Sequence, residues 1–300
     1  MNTVALAVAA LMAPPSATPA SQDTEDRIQA LERKLEALTA EIERTQLGAP
    51  AAISDGRVFG LGPGGSKVYN SEANKVSIGG YGETLFQFRS GETDVFDALR
   101  TVIYVGYKFT EQWILNTEIE FEHGTTSTTS GTTSSGGSAS AEFAYIDYLY
   151  TPNHAARIGL VLVPVGLVNE QHEPVNFLAA RRSRTENNII PTTWRELGIG
   201  VAGDTGDWAY RAYVLNGLNG VDFDDGGLRG GRQSGNRAAA EDLAFVARVD
   251  YVGQEGLVVG ASVYTGDSGQ DQAFGSDLGT TIVEAHAEYK LGGFLSLIHI

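Results

Sequence analysis

Cysteine is absent from the 300 residues, which excludes disulfide bonds and thiolate metal sites. Basic residues are few, since 21 Lys and Arg face 37 Asp and Glu, and the formal net charge is −16. Binding a nucleic-acid backbone requires basic surface, so no nucleic-acid partner is expected. After the first twenty residues no apolar run reaches the length of a membrane-spanning helix, and none is predicted.

Motifs for catalysis and metal binding are also scarce. The five histidines are scattered, and the chain has no GxSxG motif for a nucleophilic serine. His172 and Glu173 lie near Glu170, but no second histidine is close in sequence, which favours a hydrogen-bonding role over metal ligation. Residues 222–226 (DFDDG) resemble a calcium loop only in part, because glycine occupies an acidic position. We therefore predict no enzyme, no metal site and no cofactor.

The first 75 residues divide into three segments. Residues 1–20 predict a signal peptide, because residues 4–13 are apolar and small residues follow; a disordered tail is the alternative. Residues 47–75 are rich in Gly, Pro and Ser and are interpreted as a linker.

Between these segments, residues 22–46 predict a short coiled coil in the periplasm. Apolar residues recur there at alternating spacings of three and four, which places them on one helical seam. The seam consists of Ile28, Leu31, Leu35, Leu38 and Ile42. So short a helix is unstable alone, which favours self-association over a solitary amphipathic helix.

From Val76 onward, apolar and polar residues alternate with a period of two, which predicts β-strands. Ten strands are predicted at about 76–89, 97–109, 112–122, 141–151, 155–163, 194–203, 207–216, 241–252, 256–265 and 280–291, and an eleventh begins near Phe294. One face is apolar with aromatics towards its ends, and the other carries charges even at mid-strand. The charged residues expected on that second face include Arg100, Lys108, Glu118, Glu120, Arg157, Arg211 and Arg248.

Two architectures fit this alternation. In a soluble sandwich the apolar face meets a core, whereas in an outer-membrane β-barrel it meets lipid and the charged face lines a wet lumen. The connections between strands alternate between short ones, such as 110–112, and long ones, such as 164–193. Tight turns at one rim and long loops at the other are typical of a barrel, and scarce lysine also favours it, because edge lysines protect soluble sheets.

We therefore predict an all-β fold over residues 76–300, a transmembrane antiparallel β-barrel in the outer membrane of a Gram-negative bacterium. A closed bacterial barrel needs an even strand number, and a solute-conducting pore needs about 16 strands. About ten are present here, and residues 295–300 lack the terminal aromatic typical of such barrels. The expectation is that the sequence is truncated at its C-terminus.

The third long connection, residues 164–193, differs from the others in composition. It contains apolar residues such as Val165, Phe177 and Ile190, which a solvated surface loop would not need. We predict that it folds into the lumen and narrows the pore. The charged side chains expected at this constriction are Glu170, Glu173, Arg181, Arg182 and Arg184. A solvated arginine cluster, paired with Glu186 or with lipopolysaccharide phosphates, is the alternative.

Two blocks of sequence resemble a known family. Residues 66–69 (SKVY) and 77–83 (SIGGYGE) resemble the start of its barrel, and residues 163–174 and 189–196 (IIPTTWRE) resemble its third-loop region. The family is that of the phosphate-selective porins, the O and P porins, and the resemblance covers most of residues 22–290. It implies a homotrimer of sixteen-stranded barrels, surrounded by outer-membrane lipid and lipopolysaccharide, through which small hydrophilic solutes diffuse.

The substrate does not follow from the family alone. Arginines on the polar face favour anions such as phosphate, but Glu83, Glu118 and Glu284 share that face, so a general porin with local anion preference is expected. One alternative is a structural protein that tethers the envelope through its coiled coil. A less favoured alternative is a barrel hydrolase with a Ser/His/acid set at one rim.

Overall fold

A computed structural model describes residues 29, 31, 33, 34, 58–70, 75–126, 136–177, 182, 183, 185–272, 278–291 and 294–299. The chain divides into two compact units, Met1–Ala49 and Pro50–Ile300. In the first, Gln29, Leu31, Arg33 and Lys34 are helical and exposed, and Arg33 Nε donates a hydrogen bond to the Gln29 carbonyl oxygen (3.3 Å). The signal peptide and the other coiled-coil seam residues lie outside the described residues, so both remain predictions.

The second unit is built on one antiparallel sheet of eleven strands that pair in sequence order. The strands are β1 (Val76–Gln87), β2 (Val95–Lys108), β3 (Trp113–Glu122), β4 (Ser138–Thr151), β5 (His154–Leu162), β6 (Arg195–Thr205), β7 (Trp208–Asn216), β8 (Leu243–Gln254), β9 (Leu257–Asp267), β10 (Gly279–Leu291) and β11 (Phe294–His299). The ten predicted strands and the eleventh are confirmed, with ends that differ by a few residues. In the described parts of the chain, no pairing joins β1 to β11.

The connections alternate in length as predicted. Residues 109–112, 152–153, 206–207 and 255–256 make the short connections at one end of the sheet, and the long ones lie at the other. We call these the short-connection end and the long-connection end. Among the described residues, no helix is both long and apolar enough to cross a membrane.

The polarity of the sheet is the reverse of that in a water-soluble protein. On the enclosed face, Glu118 and Arg211 are each 2% exposed. On the outer face, Ile199 is 56% exposed and Val283 is 76% exposed. All seven charged residues assigned to the polar face lie on the enclosed face: Arg100, Lys108, Glu118, Glu120, Arg157, Arg211 and Arg248. The apolar face is therefore not the core of a sandwich in the described part of the chain.

Aromatic side chains lie at both ends of the outer face. At the short-connection end they pair across neighbouring strands, as in Trp113–Tyr148 (ring centroids 4.9 Å apart) and Trp208–Tyr251 (5.3 Å). At the long-connection end Phe96 packs edge-on against Phe86 (5.0 Å). The apolar residues of the outer face lie between these two aromatic groups.

Residues 58–70, predicted as part of a linker, instead lie against the enclosed face. They include helix α1 (Pro63–Asn70), which begins with a proline, a residue favoured at the first position of a helix. Val68 packs against Gly106, where a Cβ atom would lie 2.4 Å from the valine Cβ, so only glycine leaves room. Residues 58–70 are therefore packed against the sheet, which the sequence did not indicate because burying strands such as β6 lie far away in sequence. The linker assignment of residues 47–75 as a whole stays a prediction.

The long connections contain short helical turns. The third contains 3-10 turns at Asn169–Gln171 and Pro174–Asn176 and a π-helical turn at Thr185–Ile189. The fourth, between β7 and β8, contains 3-10 turns at Gly220–Asp222 and Leu228–Gly231. Both bring charged side chains towards the enclosed face.

Candidate functional site

Asn169 fixes the third long connection against the enclosed face. Its amide nitrogen donates to the carbonyl oxygens of Val163 (2.7 Å) and Trp194 (2.8 Å), and its oxygen accepts from the Trp194 backbone nitrogen (2.7 Å). The two ends of the loop are thereby held together. Trp194, Val165 and Ile190 are buried in the same apolar cluster. The loop thus packs inwards, whereas its role in narrowing a pore remains a prediction.

A central ionic network joins this loop to the strands. Glu170 accepts two hydrogen bonds of 3.0 Å from Arg211 Nε and one of 2.6 Å from Nη2. Arg211 Nη1 also donates to Asp250 (2.8 Å), and Arg248 Nε lies 2.9 Å from the same carboxylate. All four side chains are buried, so each charge depends on its partners for the stabilisation that water would otherwise provide.

The network continues into β10 through His286. Its Nε2 lies 2.8 Å from Asp250 Oδ1, and its Nδ1 lies 2.9 Å from Glu284 Oε1. The Ser262 hydroxyl donates to the other oxygen of Glu284 (2.7 Å). Charged and polar groups therefore connect β7, β8, β9 and β10 across the enclosed face.

A second ionic group lies nearer the short-connection end. Arg157 holds Asp147 with two hydrogen bonds, from Nε (2.8 Å) and from Nη2 (2.9 Å), and its guanidinium stacks 3.8 Å from the centroid of the Tyr145 ring. The hydroxyl of Tyr69, from α1, also donates to Asp147 (2.7 Å). Burial and then the Asp147 charge raise the pKa of Tyr69 well above its usual value, so this hydroxyl remains a donor.

A third group surrounds His172 in the third long connection. Glu173 accepts a hydrogen bond from the Tyr104 hydroxyl (2.8 Å), and Glu142 accepts one from Arg195 (2.8 Å). His172 Nε2 lies 3.8 Å from Glu142 and 3.9 Å from Glu118. Oε1 of Glu118 is buried without a hydrogen-bond partner, which is costly for an ionised carboxylate.

Burial lowers the pKa of His172 to about 4. The Glu142 carboxylate opposes this shift, whereas the neighbouring Arg182 charge adds to it. Burial dominates because, among the described residues, the nearest carboxylates lie beyond direct hydrogen-bond distance of the ring. His172 is therefore neutral at neutral pH, and its Nδ1 lies 3.0 Å from the Asn169 carbonyl oxygen, to which it can donate.

Three arginines from two long connections converge at the long-connection end: Arg182, Arg229 and Arg232. Arg182 donates a hydrogen bond to the Thr193 hydroxyl (3.0 Å), and Arg232 donates one to the Thr193 carbonyl oxygen (2.5 Å). Nη1 of Arg229 is buried without a hydrogen-bond partner. Within the described residues none of the three is ion-paired with a carboxylate.

The positive charges of this group repel one another. Burial, followed by Arg229 and Arg195, lowers the pKa of Arg232 to about 10. The pKa of Arg182 is lowered by burial and then by Arg100 and Arg229. We call Arg182, Arg229 and Arg232 the arginine group. An anion placed among them would supply the missing negative charge.

The predicted constriction residues have different surroundings. Glu170 and Glu173 are buried within hydrogen-bonded networks, and Arg182 belongs to the arginine group. Arg181 and Arg184 lie outside the described residues. Among the polar-face residues, Arg100 lies 2.8 Å from both Glu83 and Glu120. Lys108 Nζ lies 3.5 Å from the carbonyl oxygen of Tyr69.

Sequence reasoning missed Arg229 and Arg232 as site residues. They belong to the fourth long connection, which contains few apolar residues and gave no sign of folding inwards. Asp250 and His286 alternate with apolar residues in their strands, but nothing in the sequence indicated that they meet. In the described parts of the chain no three His, Asp or Glu side chains are arranged to hold a metal ion.

No protein-family profile matches the sequence. An uncharacterized protein of Aquifex aeolicus (strain VF5) is 41% identical over 242 residues, which cover 78% of this chain and 54% of that protein. The chain thus spans about half the length of this relative.

Two solved structures of OmpT, an outer membrane protein of Vibrio cholerae, show a distant likeness. A loop L8 deletion mutant is 10% identical, with 73% of this chain and 78% of that chain covered and a TM-score of 0.29. The in-vitro folded trimer form is 12% identical, with 73% and 86% covered and a TM-score of 0.27. At TM-scores this low, the likeness supports no conclusion about this chain.

Replacing Arg211 with Met should destabilise the protein by about 3–5 kcal/mol, because buried Glu170 loses its main cation and buried Asp250 loses one of its cationic partners. Arg89→Gln removes an exposed ion pair with Glu92 and should cost at most about 1 kcal/mol. Urea unfolding of the two variants measures the difference. Equal losses would contradict a structural role for the central network.

His172 should make stability depend on pH. Its folded-state pKa of about 4 lies below the usual value of 6.5, so stability falls as pH drops from 6.5 towards 4, where the unfolded state takes up the proton first. Over this pH range the free energy of unfolding of the wild type should fall by about 3 kcal/mol more than that of His172→Gln. Glutamine has no group that titrates but retains a hydrogen-bond donor. Urea titrations at several pH values test this, with exposed His123→Gln as control. Parallel profiles for wild type and His172→Gln would refute the shift.

Proposed function

We propose that this protein is an outer-membrane β-barrel porin, a water-filled channel through which small hydrophilic solutes diffuse. The observation that carries the proposal is the reversed polarity of the sheet. Ionised side chains such as Arg211 and Glu170 are enclosed and paired, whereas large apolar side chains on the outer face are exposed. An apolar surface of this extent is unfavourable in water and is the normal exterior of a barrel in lipid.

The dimensions of the strands support the same setting. β1 to β10 have 9 to 14 residues, and about 9–11 residues are needed for a tilted strand to cross a bilayer. Aromatic residues at the two ends of the outer face match the preference of Trp, Tyr and Phe for membrane interfaces. The long-connection end is then extracellular, and the short-connection end faces the periplasm.

The arginine group gives the channel a preference for anions such as phosphate at its extracellular mouth. Its charges lie near the enclosed face and lack carboxylate partners among the described residues. Fixed positive charge attracts an anion and replaces part of its hydration. Deeper in the protein, arginines are neutralised by carboxylates, which favours a general porin over a strictly phosphate-selective one.

The remaining features of the proposal come from the sequence. They are the assembly into a homotrimer, the periplasmic coiled coil of residues 22–46, and contacts with outer-membrane lipid and lipopolysaccharide. No catalytic step and no cofactor is part of the proposal.

A structural role is the second candidate, and the dense packing of the enclosed face favours it. Ion pairs such as Arg157–Asp147 and Arg211–Glu170 fill space that an open pore would leave to water. A structural protein would anchor the envelope through its N-terminal segment. Ion conductance of the full-length protein in planar bilayers separates the two functions, because only a porin conducts.

Replacing Val283 with Lys tests the membrane setting. This outer-face residue lies in the middle of β10, so a lysine facing lipid should cost about 2–4 kcal/mol. Leu243→Lys, at the long-connection end of β8, is the control and should cost about 1 kcal/mol or less. Unfolding in phospholipid vesicles, followed by tryptophan fluorescence, measures both. A negligible cost for Val283→Lys would show that this face meets water.

Replacing Arg229 and Arg232 together with Gln tests the anion preference. The reversal potential in a salt gradient should shift towards cation selectivity, because two fixed positive charges are lost from the mouth. The matched control is Arg237→Gln, an exposed arginine on the same long connection. An identical reversal potential for the double variant and wild type would remove the arginine group from the permeation path.

A further inference from the structure

Residues 58–70 are buried more deeply than a connecting segment requires. Phe59 is 1% exposed, and Leu61 and Val68 are each 2% exposed. Phe59 packs with Ala155 and Ala202 near the short-connection end, and Leu61 belongs to the large apolar cluster on the enclosed face. A flexible tether in the periplasm would leave these side chains in water.

Hydrogen bonds tie the backbone of this segment to elements far apart in the sheet. The Asn116 amide on β3 donates to the Gly65 carbonyl oxygen (2.7 Å). Asp204 on β6 accepts from the Phe59 backbone nitrogen (3.2 Å). With the Tyr69–Asp147 hydrogen bond to β4, the segment crosses the enclosed face from β3 to β6.

The segment also meets the third long connection. The Gln171 amide donates to the Gly60 carbonyl oxygen (3.2 Å). Gly62 lies so close to Glu173 that a Cβ atom would be 2.9 Å from both carboxylate oxygens. Residues 58–70 and the third long connection therefore pack together as one continuous layer against the enclosed face. Residues 58–70 lie towards the short-connection end.

We propose that residues 58–70 form an internal plug that limits the width of the channel at its periplasmic end. This inference rests on the proposed channel function. In the proposed channel, the third long connection narrows the middle of the lumen and the plug narrows its periplasmic end. Solute size is then limited by an N-terminal segment that precedes the first strand, in addition to the loop between β5 and β6.

Conductance measurements test the plug with two matched double variants of the full-length protein. Phe59→Ala with Leu61→Ala removes buried side chains from the plug, whereas Phe86→Ala with Phe88→Ala removes exposed aromatics from the outside of the barrel. Because pore width governs conduction, the plug variant should raise single-channel conductance about twofold or more and admit larger polyethylene glycols. The outer variant should match wild type.

A labelling experiment checks the docking of the plug independently. The chain has no cysteine, so Val68→Cys introduces a single thiol. It should react with a membrane-impermeant maleimide at least about tenfold more slowly than Val221→Cys in the fourth long connection, because residue 68 is 2% exposed and residue 221 is 44% exposed. Equal labelling rates would show that the plug is not docked and would overturn the inference.

The conductance outcomes separate the plug from the channel. Equal, non-zero conductance of wild type and the plug variant would overturn the plug and leave the porin function intact. Absence of conductance in all variants would overturn both proposals. A wider pore in the plug variant alone, together with slow labelling of Val68→Cys, would support both.

Discussion

The pairing of buried ionised side chains on the enclosed face is the constraint on which the rest of the structure depends. Arg211 contacts carboxylates from both β8 and the third long connection, so one guanidinium holds a strand and a loop together. A buried charge without a partner is strongly unfavourable, so these partners must remain in register. The outer face carries no comparable requirement, because its exposed apolar side chains need no specific charged partner.

This division explains how much of the fold could be predicted. The strands follow from a period-two pattern that each segment carries by itself, and the alternation of short and long connections follows from their spacing. The inward packing of the third long connection was visible in its apolar residues. These signals are local in sequence, so they can be recognised without knowledge of the tertiary structure.

The features that escaped prediction depend on partners distant in sequence. Val68 is buried because Gly106 leaves space for it, and the Phe59 backbone is held by Asp204. Glu170 and Arg211 were each assigned to the interior, but their pairing is set by how the loop folds back. Arg232 reaches Thr193, and Arg229 lies close enough to affect Arg232, through a connection whose composition resembles an ordinary solvated loop.

The strict sequence order of the strands has a consequence for assembly. Each strand pairs with the next one along the chain, so hairpins can be added one after another with only a short loop to close at every second step. Residues 58–70 lie before β1 in the sequence but contact β3, β4 and β6, which come later. Their docking must therefore wait until several hairpins exist, so a segment on the N-terminal side of every strand is among the last to reach its final position.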